Sequence, residues 1–152
     1  MKKNLFAFLV LLAAVSVQAQ SIIINEVQYD PIGAGVDTKT EWIELYNPTG
    51  DDIDLSGWRL CDNTDSIGEV FPSTVLAAGE YLVLAALVDS FHLDFPGVPA
   101  INWPDSSLCG ALSNTADIVV IVNSSGTMVD RVNWGAGTWT QASYVKYGYW
   151  NP

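Results

Sequence analysis

The chain of 152 residues carries a formal net charge of −11, because 17 acidic residues stand against six Lys and Arg. Its length corresponds to one domain with a sizeable core. The acidity argues against direct nucleic-acid binding, which depends on Lys and Arg neutralising phosphates. A single histidine and two cysteines far apart in sequence argue against zinc, which needs several such ligands.

Residues 1–19 have the form of a secretory signal peptide. Two lysines precede a charge-free apolar run over residues 5–17, and small residues stand before the expected cleavage point at Ala19. The run is too short for a transmembrane helix, which needs about 20 apolar residues; an uncleaved membrane anchor is the alternative. We therefore expect a mature chain of residues 20–152 without a transmembrane segment, located outside the cell, in the periplasm or on the cell surface. Its net charge is 4 − 17 = −13 once two of the six basic residues leave.

The mature chain consists of short β-rich runs separated by turn residues. About eight strands at this spacing predict an all-β sandwich or barrel. The predicted strands are residues 22–29, 41–46, 53–60, 69–71, 80–88, 117–122, 127–134 and 143–149.

Three parts of the chain need comment. Ser56-Gly57 predicts a bend or bulge inside the strand at 53–60. The run 80–88 is so apolar that a central strand is expected, although a helix remains possible there. Three prolines predict a long loop over residues 89–110, which could hold one short strand or a turn of helix.

Several motifs follow one another in a recognisable order. They are Ile24-Asn25-Glu26-Val27, Glu41-Trp42-Ile43-Glu44-Leu45-Tyr46-Asn47, Asp54-Leu55-Ser56-Gly57-Trp58, Phe71-Pro72, Ala78-Gly79-Glu80-Tyr81, Leu112-Ser113-Asn114 before Asp117-Ile118-Val119, and residues 126–130 followed by Val132. Over about residues 22–135 this set resembles the lamin tail domain, in the form that secreted bacterial proteins carry.

The resemblance implies an immunoglobulin-like β-sandwich of eight or nine strands, filling residues 20–152 as a single domain. In nuclear lamins the domain follows a coiled coil, which this chain lacks, so a nuclear location does not carry over. Bacterial members are exported and often accompany secreted nucleases or phosphatases. The resemblance therefore implies a non-catalytic accessory role, with the motif residues Asn25, Glu26, Glu41, Trp42, Glu44, Asn47, Gly57 and Trp58 as its structural signature.

Strand alternation predicts where the acidic motif residues point. Glu41 shares the parity of the core residues of its strand, while Trp42, Glu44 and Tyr46 occupy the other face. Glu41 and Glu44 therefore cannot form a catalytic pair by themselves. If Glu26 and Glu44 are buried, each needs loop amides or a cation, and the natural partners are Arg59 and Arg131.

Nothing in the sequence assembles catalytic machinery. His92 is the single histidine, and no Gly-x-Ser-x-Gly motif accompanies it. We interpret His92 as a loop residue, predict no catalytic or cofactor-binding residue, and expect that the protein is not an enzyme.

Two features could add stability. Cys61 and Cys109 could form one disulfide across 109 − 61 = 48 residues, worth about 4 kcal/mol in the chain-entropy model, or remain two buried thiols. Calcium is the one metal that the acidic turns suggest, with Asp62, Asp65 and Glu69 as candidate ligands and a second cluster at residues 51–54. Solvated turn acids are the simpler interpretation, so no metal site is predicted.

The C-terminal segment is rich in aromatic residues, which suit either a recognition surface or a final core-covering strand. Trp103 and Trp134 would extend such a surface if they lay nearby and exposed. The residues concerned are Trp139, Tyr144, Tyr147, Tyr149 and Trp150.

The sequence thus predicts a secreted, non-catalytic interaction module that binds a protein or glycan partner it does not identify. The alternative is a small secreted hydrolase, or a calcium-dependent accessory domain of an extracellular nuclease or phosphatase system. A purely structural spacer is the third possibility.

Overall fold

The computed structural model describes residues 22–30, 39–61, 68–104 and 106–135, except for the side chain of Cys61. Short β-strands dominate these residues. In chain order the elements are β1 Ile23–Gln28, β2 Trp42–Tyr46, β3 Ile53–Asp54, β4 Arg59–Cys61, β5 Glu69–Val70, β6 Val75–Leu76, β7 Tyr81–Ala85, α1 Val88–Asp94, β8 Ala100–Asn102, a 3-10 helix Leu108–Gly110, β9 Asp117–Val122 and β10 Met128–Trp134.

The strands form two four-stranded sheets and a small pair. The first sheet has the order β1-β2-β7-β8, and the second has the order β10-β9-β4-β5. Strands β3 and β6 pair separately. All neighbours are antiparallel except β7 and β8, which run parallel. The predicted all-β sandwich is confirmed.

The core lies between the two large sheets. Ile43 and Leu45 on β2 are fully buried from one side, and Val119 and Ile121 on β9 are fully buried from the other. Their two-residue spacing follows from strand geometry, in which alternate side chains share a face. Each such burial stabilises the fold by about 1.5–3 kcal/mol.

The predicted strand at 53–60 is two strands rather than one. Its first part, β3, pairs with β6, whereas its second part, β4, joins the second sheet between β9 and β5. The chain turns at Ser56-Gly57, where Gly57 has a φ of +76°, a conformation that favours glycine. The bend was predicted at the right residues, but it moves the chain to a different sheet.

The predicted loop over residues 89–110, which was expected to hold one short strand or a turn of helix, contains more regular structure than that. It contains most of α1, all of β8 and the 3-10 helix. Strand β7 ends at Ala85, short of the predicted limit at residue 88. Helix α1 has only seven residues, which is too short for a stable isolated helix. It is stabilised by packing Phe91 against Trp42 on the first sheet.

Trp103 and Trp134 are core residues and not part of an exposed aromatic platform. Trp103 is 1% exposed and Trp134 is 9% exposed. Trp103 packs edge-on against Phe71 at 5.2 Å, and Trp134 stacks on Tyr29 at 4.5 Å between ring centroids. The condition under which these two tryptophans would extend a recognition surface is therefore not met, because both side chains are buried.

Within the described residues, no helix has the length and apolarity to cross a membrane. The predicted final strand at 143–149 lies outside these residues.

Candidate functional site

A β-bulge in β1 determines what the first sheet presents to solvent. The pairing register of β1 and β2 shifts between Ile24 and Glu26. Ile24 and Val27, three residues apart, are both buried, while Asn25 and Glu26 between them are exposed. A regular strand would place residues three apart on opposite faces. The extra residue at the bulge therefore directs Asn25 and Glu26 to the outer face, the side of the sheet turned away from the core.

Two carboxylates oppose each other on this outer face. Glu26 pairs directly with Glu44 across β1 and β2, an arrangement that is unfavourable for like charges. Asn25 partly offsets it, because its Nδ2 donates a hydrogen bond to Glu44 Oε1 at 2.6 Å. Partial burial, and secondly the charge of Glu44, raise the pKa of Glu26. This part of the face concentrates negative charge.

Beside this pair lies a groove between the first sheet and α1, which we call the α1 groove. Its volume is about 310 Å³. Trp42 forms its base and meets the rings of Phe91 and Phe95 edge-on, at 5.8 and 5.6 Å between centroids. The lining residues are Glu26, Gln28, Thr40, Trp42, Ser90, Phe91, Asp94 and Phe95.

Exposure differs sharply among the groove residues. Trp42 and Phe91 are 9% and 4% exposed, whereas Phe95 is 41% exposed. The carboxylates of Glu26 and Asp94 stand on exposed residues at the rim. The groove thus offers one accessible aromatic ring and two accessible carboxylates.

A tyrosine pair occupies the opposite end of the same outer face. Tyr46 and Tyr81 are cross-strand partners on β2 and β7, and their rings stack at 4.5 Å. Tyr81 is 53% exposed. The acidic pair Glu26 and Glu44 therefore lies between the α1 groove and an exposed tyrosine stack.

Glu41 and Glu44 point to opposite faces, as strand alternation predicts. Glu41 is 1% exposed, and its Oε1 accepts a hydrogen bond of 3.0 Å from the backbone N–H of Leu112. This contact ties β2 to the loop before β9. Glu44 lies on the outer face with Asn25. The two carboxylates are not brought together.

The expected arginine partners belong to the other sheet. Arg59 lies on β4, where its guanidinium donates to the carbonyl oxygen of Gly68 at 2.6 Å, and Arg131 lies on β10. Glu26 is exposed and Glu44 is half-buried, so neither carboxylate is buried deeply enough to require a cation.

Other motif residues hold loops in place. Asn47 is fully buried, and its Nδ2 donates to the carbonyl oxygens of Asp51, Leu76 and Ala77 at 2.9–3.1 Å. Trp58 is 8% exposed and belongs to the core. The signature residues thus divide into those that support the sandwich and those, namely Asn25, Glu26 and Glu44, that face solvent.

His92 lies on α1 and not in a loop. Its Nε2 is 2.9 Å from the carbonyl oxygen of Val98, a distance at which the ring N–H donates a hydrogen bond. The contact connects α1 to the segment that leads into β8.

Two carboxylates of the acidic turn at residues 51–54 accept hydrogen bonds from other residues of the chain. Asp52 Oδ1 accepts the backbone N–H of Ala78 at 2.9 Å. The Ser56 hydroxyl, and then its backbone N–H, lower the pKa of Asp54 by hydrogen bonding. Among the described residues, no group of three or more His, Cys, Asp or Glu is arranged to hold a metal ion.

Several predicted site residues fall outside the described part of the chain. These are the calcium candidates Asp62 and Asp65, the side chain of Cys61, and the aromatic set Trp139, Tyr144, Tyr147, Tyr149 and Trp150. Glu69 is half-buried on β5, and Cys109 is half-buried in the 3-10 helix. The disulfide, calcium binding and the C-terminal recognition surface stay predictions.

The α1 groove was not anticipated, although the sequence contains a signal for it. Val88, Phe91 and Phe95 are spaced i, i+3 and i+7, which is the pattern of one apolar helix face. The three prolines nearby favoured a loop interpretation instead.

Two packed sheets, a buried motif network and a solvent-facing groove define a β-sandwich module. The model of the Lamin Tail Domain family matches residues 16–136. The chain belongs to this family, which confirms the resemblance of its motifs and the immunoglobulin-like β-sandwich. No curated protein matches the chain significantly.

Proposed function

We propose that the protein is a secreted, non-catalytic module that binds a protein or glycan partner through the outer face of its first sheet. The observation that supports this proposal most directly is the composition of that face. It combines an exposed tyrosine stack, an acidic pair and a groove with an exposed ring at Phe95. Amphipathic aromatic side chains are enriched at recognition surfaces.

Secretion is supported by the signal-peptide features of residues 1–19. The net charge of −13 after cleavage suits a soluble protein outside the cell. A spacer is a weaker proposal, because a spacer requires no aromatic residue on its surface, whereas Tyr81 is 53% exposed.

A secreted hydrolase is the second candidate, and one observation favours it. Glu26 and Glu44 are adjacent carboxylates, and the pKa of Glu26 is raised, as in acid–base pairs of glycosidases. Against it, Asn25 already occupies an oxygen of Glu44. Hydrolysis of a glycan or phosphate ester that disappears in Glu26→Gln would establish this alternative.

The proposed binding function is tested by pull-down and glycan-array measurements with the mature chain of residues 20–152. We expect a retained partner whose binding falls at least about tenfold in Tyr81→Ala or Phe95→Ala, as for a buried aromatic anchor. Met128→Ala is the matched control, since Met128 is 52% exposed on β10 of the other sheet. Equal losses in all three variants, or no partner in either assay, would count against the proposal.

A further inference from the structure

The residues that line the α1 groove carry negative charge without a compensating positive charge. Its eight lining residues include Glu26 and Asp94 but no lysine or arginine. Glu44 adds a third carboxylate next to Glu26. Lys39 precedes Thr40 in sequence but does not line the groove. The groove would therefore attract a positively charged ligand, and none of its lining residues carries a competing positive charge.

The opposed pair of Glu26 and Glu44 favours a cation more specifically. Like charges directly across an antiparallel pair destabilise a sheet. Partial burial first, and the charge of Glu44 second, raise the pKa of Glu26, so the ionised form of this carboxyl is disfavoured. A cation in the groove beside Glu26 would offset the repulsion between Glu26 and Glu44, so that its binding would add an attraction and reduce an unfavourable interaction.

The walls of the groove select among cations. Calcium requires six to eight oxygen ligands, whereas three of the eight residues that line the groove are the aromatic residues Trp42, Phe91 and Phe95. Lysine and arginine combine an apolar stem with a charged head and pack their stems along such surfaces. Their heads are also attracted to aromatic faces.

A sugar ring fits the groove less well. Stacking needs accessible ring faces, but Trp42 and Phe91 are 9% and 4% exposed. Phe95 alone offers an accessible ring there. The groove volume of about 310 Å³ lies at the small end of ligand pockets, which suits one long side chain.

We infer that the α1 groove receives an arginine or lysine side chain from a basic segment of a partner protein. The charged head would lie between Glu26 and Asp94, and the stem would lie against Phe95. This inference rests on the proposed binding function and specifies the partner of the same face.

The test uses the ¹⁵N-labelled mature chain and two synthetic probes. One is a hexapeptide containing two arginines, and the other is the same peptide with citrulline, which keeps the shape and lacks the charge. We expect saturable NMR shift changes at Trp42 and Phe95 with the arginine peptide, and at least fivefold weaker binding of the citrulline peptide.

Charge-removing substitutions distinguish peptide binding in the groove from attraction to the general negative charge of the chain. Glu26→Gln and Asp94→Asn each remove one charge from the groove rim, and we expect at least fivefold weaker peptide binding in both. Asp89→Asn is the matched control, since Asp89 is an exposed carboxylate of α1 that does not line the groove. We expect less than twofold change in that variant.

Three outcomes would overturn the inference. They are equal weakening in Asp89→Asn, equal binding of the citrulline peptide, or shifts at Trp42 and Phe95 that only calcium or a glycan from the array produces. If the arginine peptide does not bind while Tyr81→Ala still abolishes capture of a partner, the inference about the α1 groove is wrong and the proposed function stands. If neither is observed, both fail.

Discussion

The carboxylate of Asp130 accepts a hydrogen bond from the backbone N–H of Ile24, at 2.9 Å between Oδ2 and N. Asp130 is 4% exposed and lies on β10, whereas Ile24 lies on β1 beside the bulge. The contact joins the two sheets at one margin of the sandwich, across 106 positions of the sequence.

We expect Asp130→Ala to lower the free energy of unfolding by about 2–3 kcal/mol, because it leaves a buried backbone donor without its charged acceptor. Urea denaturation measures the change. Asp51→Ala is the control, since Asp51 is exposed. A difference below about 0.5 kcal/mol between the two variants would show that the contact contributes little.

Loss of the side-chain amide of Asn47 should strongly destabilise the fold. The substitution Asn47→Asp keeps the size but replaces the donor to three carbonyl oxygens with an acceptor. We expect a loss of at least about 3 kcal/mol at pH 7. The penalty should shrink as the pH falls, because protonation of the introduced carboxyl restores one donor.

Asn123→Asp provides the control for this experiment. Asn123 uses its Oδ1 to accept the N–H groups of Ser125 and Thr127, and a carboxylate can accept both. We expect a change within about 0.5 kcal/mol. Equal destabilisation by the two substitutions would contradict the role given to Asn47.

Substitution of Gly135 even by alanine should destabilise the fold. Its φ is +78°, and a Cβ atom would overlap the carbonyl oxygen of Thr115 and lie 2.7 Å from the Cα of Ala116. We expect Gly135→Ala to cost about 3 kcal/mol through backbone strain and overpacking. Gly126→Ala shares a positive φ of +80° in open space and should cost only about 1–2 kcal/mol. Thermal unfolding of the two variants measures the difference.

The pKa of Glu26 gives stability a pH dependence. Burial, and then Glu44, raise this pKa, so the folded chain holds the proton more tightly than the unfolded chain does. The stability from this group is fully present below the unfolded-state pKa of about 4 and is lost as the pH rises through the folded-state pKa.

The substitution Glu26→Gln should remove this loss of stability at higher pH. We expect the Tm of the variant to match the wild type near pH 3.5 and to exceed it at pH 7, although the same variant loses basic-peptide binding. Glu80→Gln, at an exposed position, is the control. A Tm difference that does not vary with pH would contradict the assignment.

The predicted disulfide can be tested directly. If Cys61 and Cys109 pair, intact-mass analysis of the non-reduced protein after alkylation finds no modified thiol, and a reductant lowers the Tm. Closing a loop of this length is worth about 4 kcal/mol in the chain-entropy model. Two alkylated thiols in the unreduced protein would exclude the pairing.

Strand alternation made the central strands predictable. Ile43 and Leu45 on β2, and the run that became β9, show their burial in the sequence because a strand repeats every two residues. Helix α1 was expected only as a possible turn of helix, because the apolar spacing over residues 88–95 is weakened by the prolines that follow. The short helix depends on the contact of Phe91 with Trp42. The division between β3 and β4 depends likewise on which distant strands each part meets.

The candidate site was predictable only in part. Motif resemblance identified Asn25, Glu26 and Glu44, but their meeting depends on the bulge and on the register of β1 against β2. A shift by one residue would exchange the faces of a strand. The sequence also offered the C-terminal aromatic residues as a possible recognition surface, which lies outside the described residues and stays a prediction. The described face is built from residues of β1, β2, β7 and α1.

The edge strands of the two sheets limit how another chain could bind by strand addition. The short strands β8 and β5 end one side of the two sheets, and β1 and β10 meet at the other. At the margin where β5 has two residues and β8 has three, little unpaired backbone is offered to an incoming strand, and edge-to-edge pairing there is disfavoured. A partner of the proposed kind would instead contact side chains of the outer face. New specificities can then arise by substitution on the outer face while the scaffold keeps its pairing.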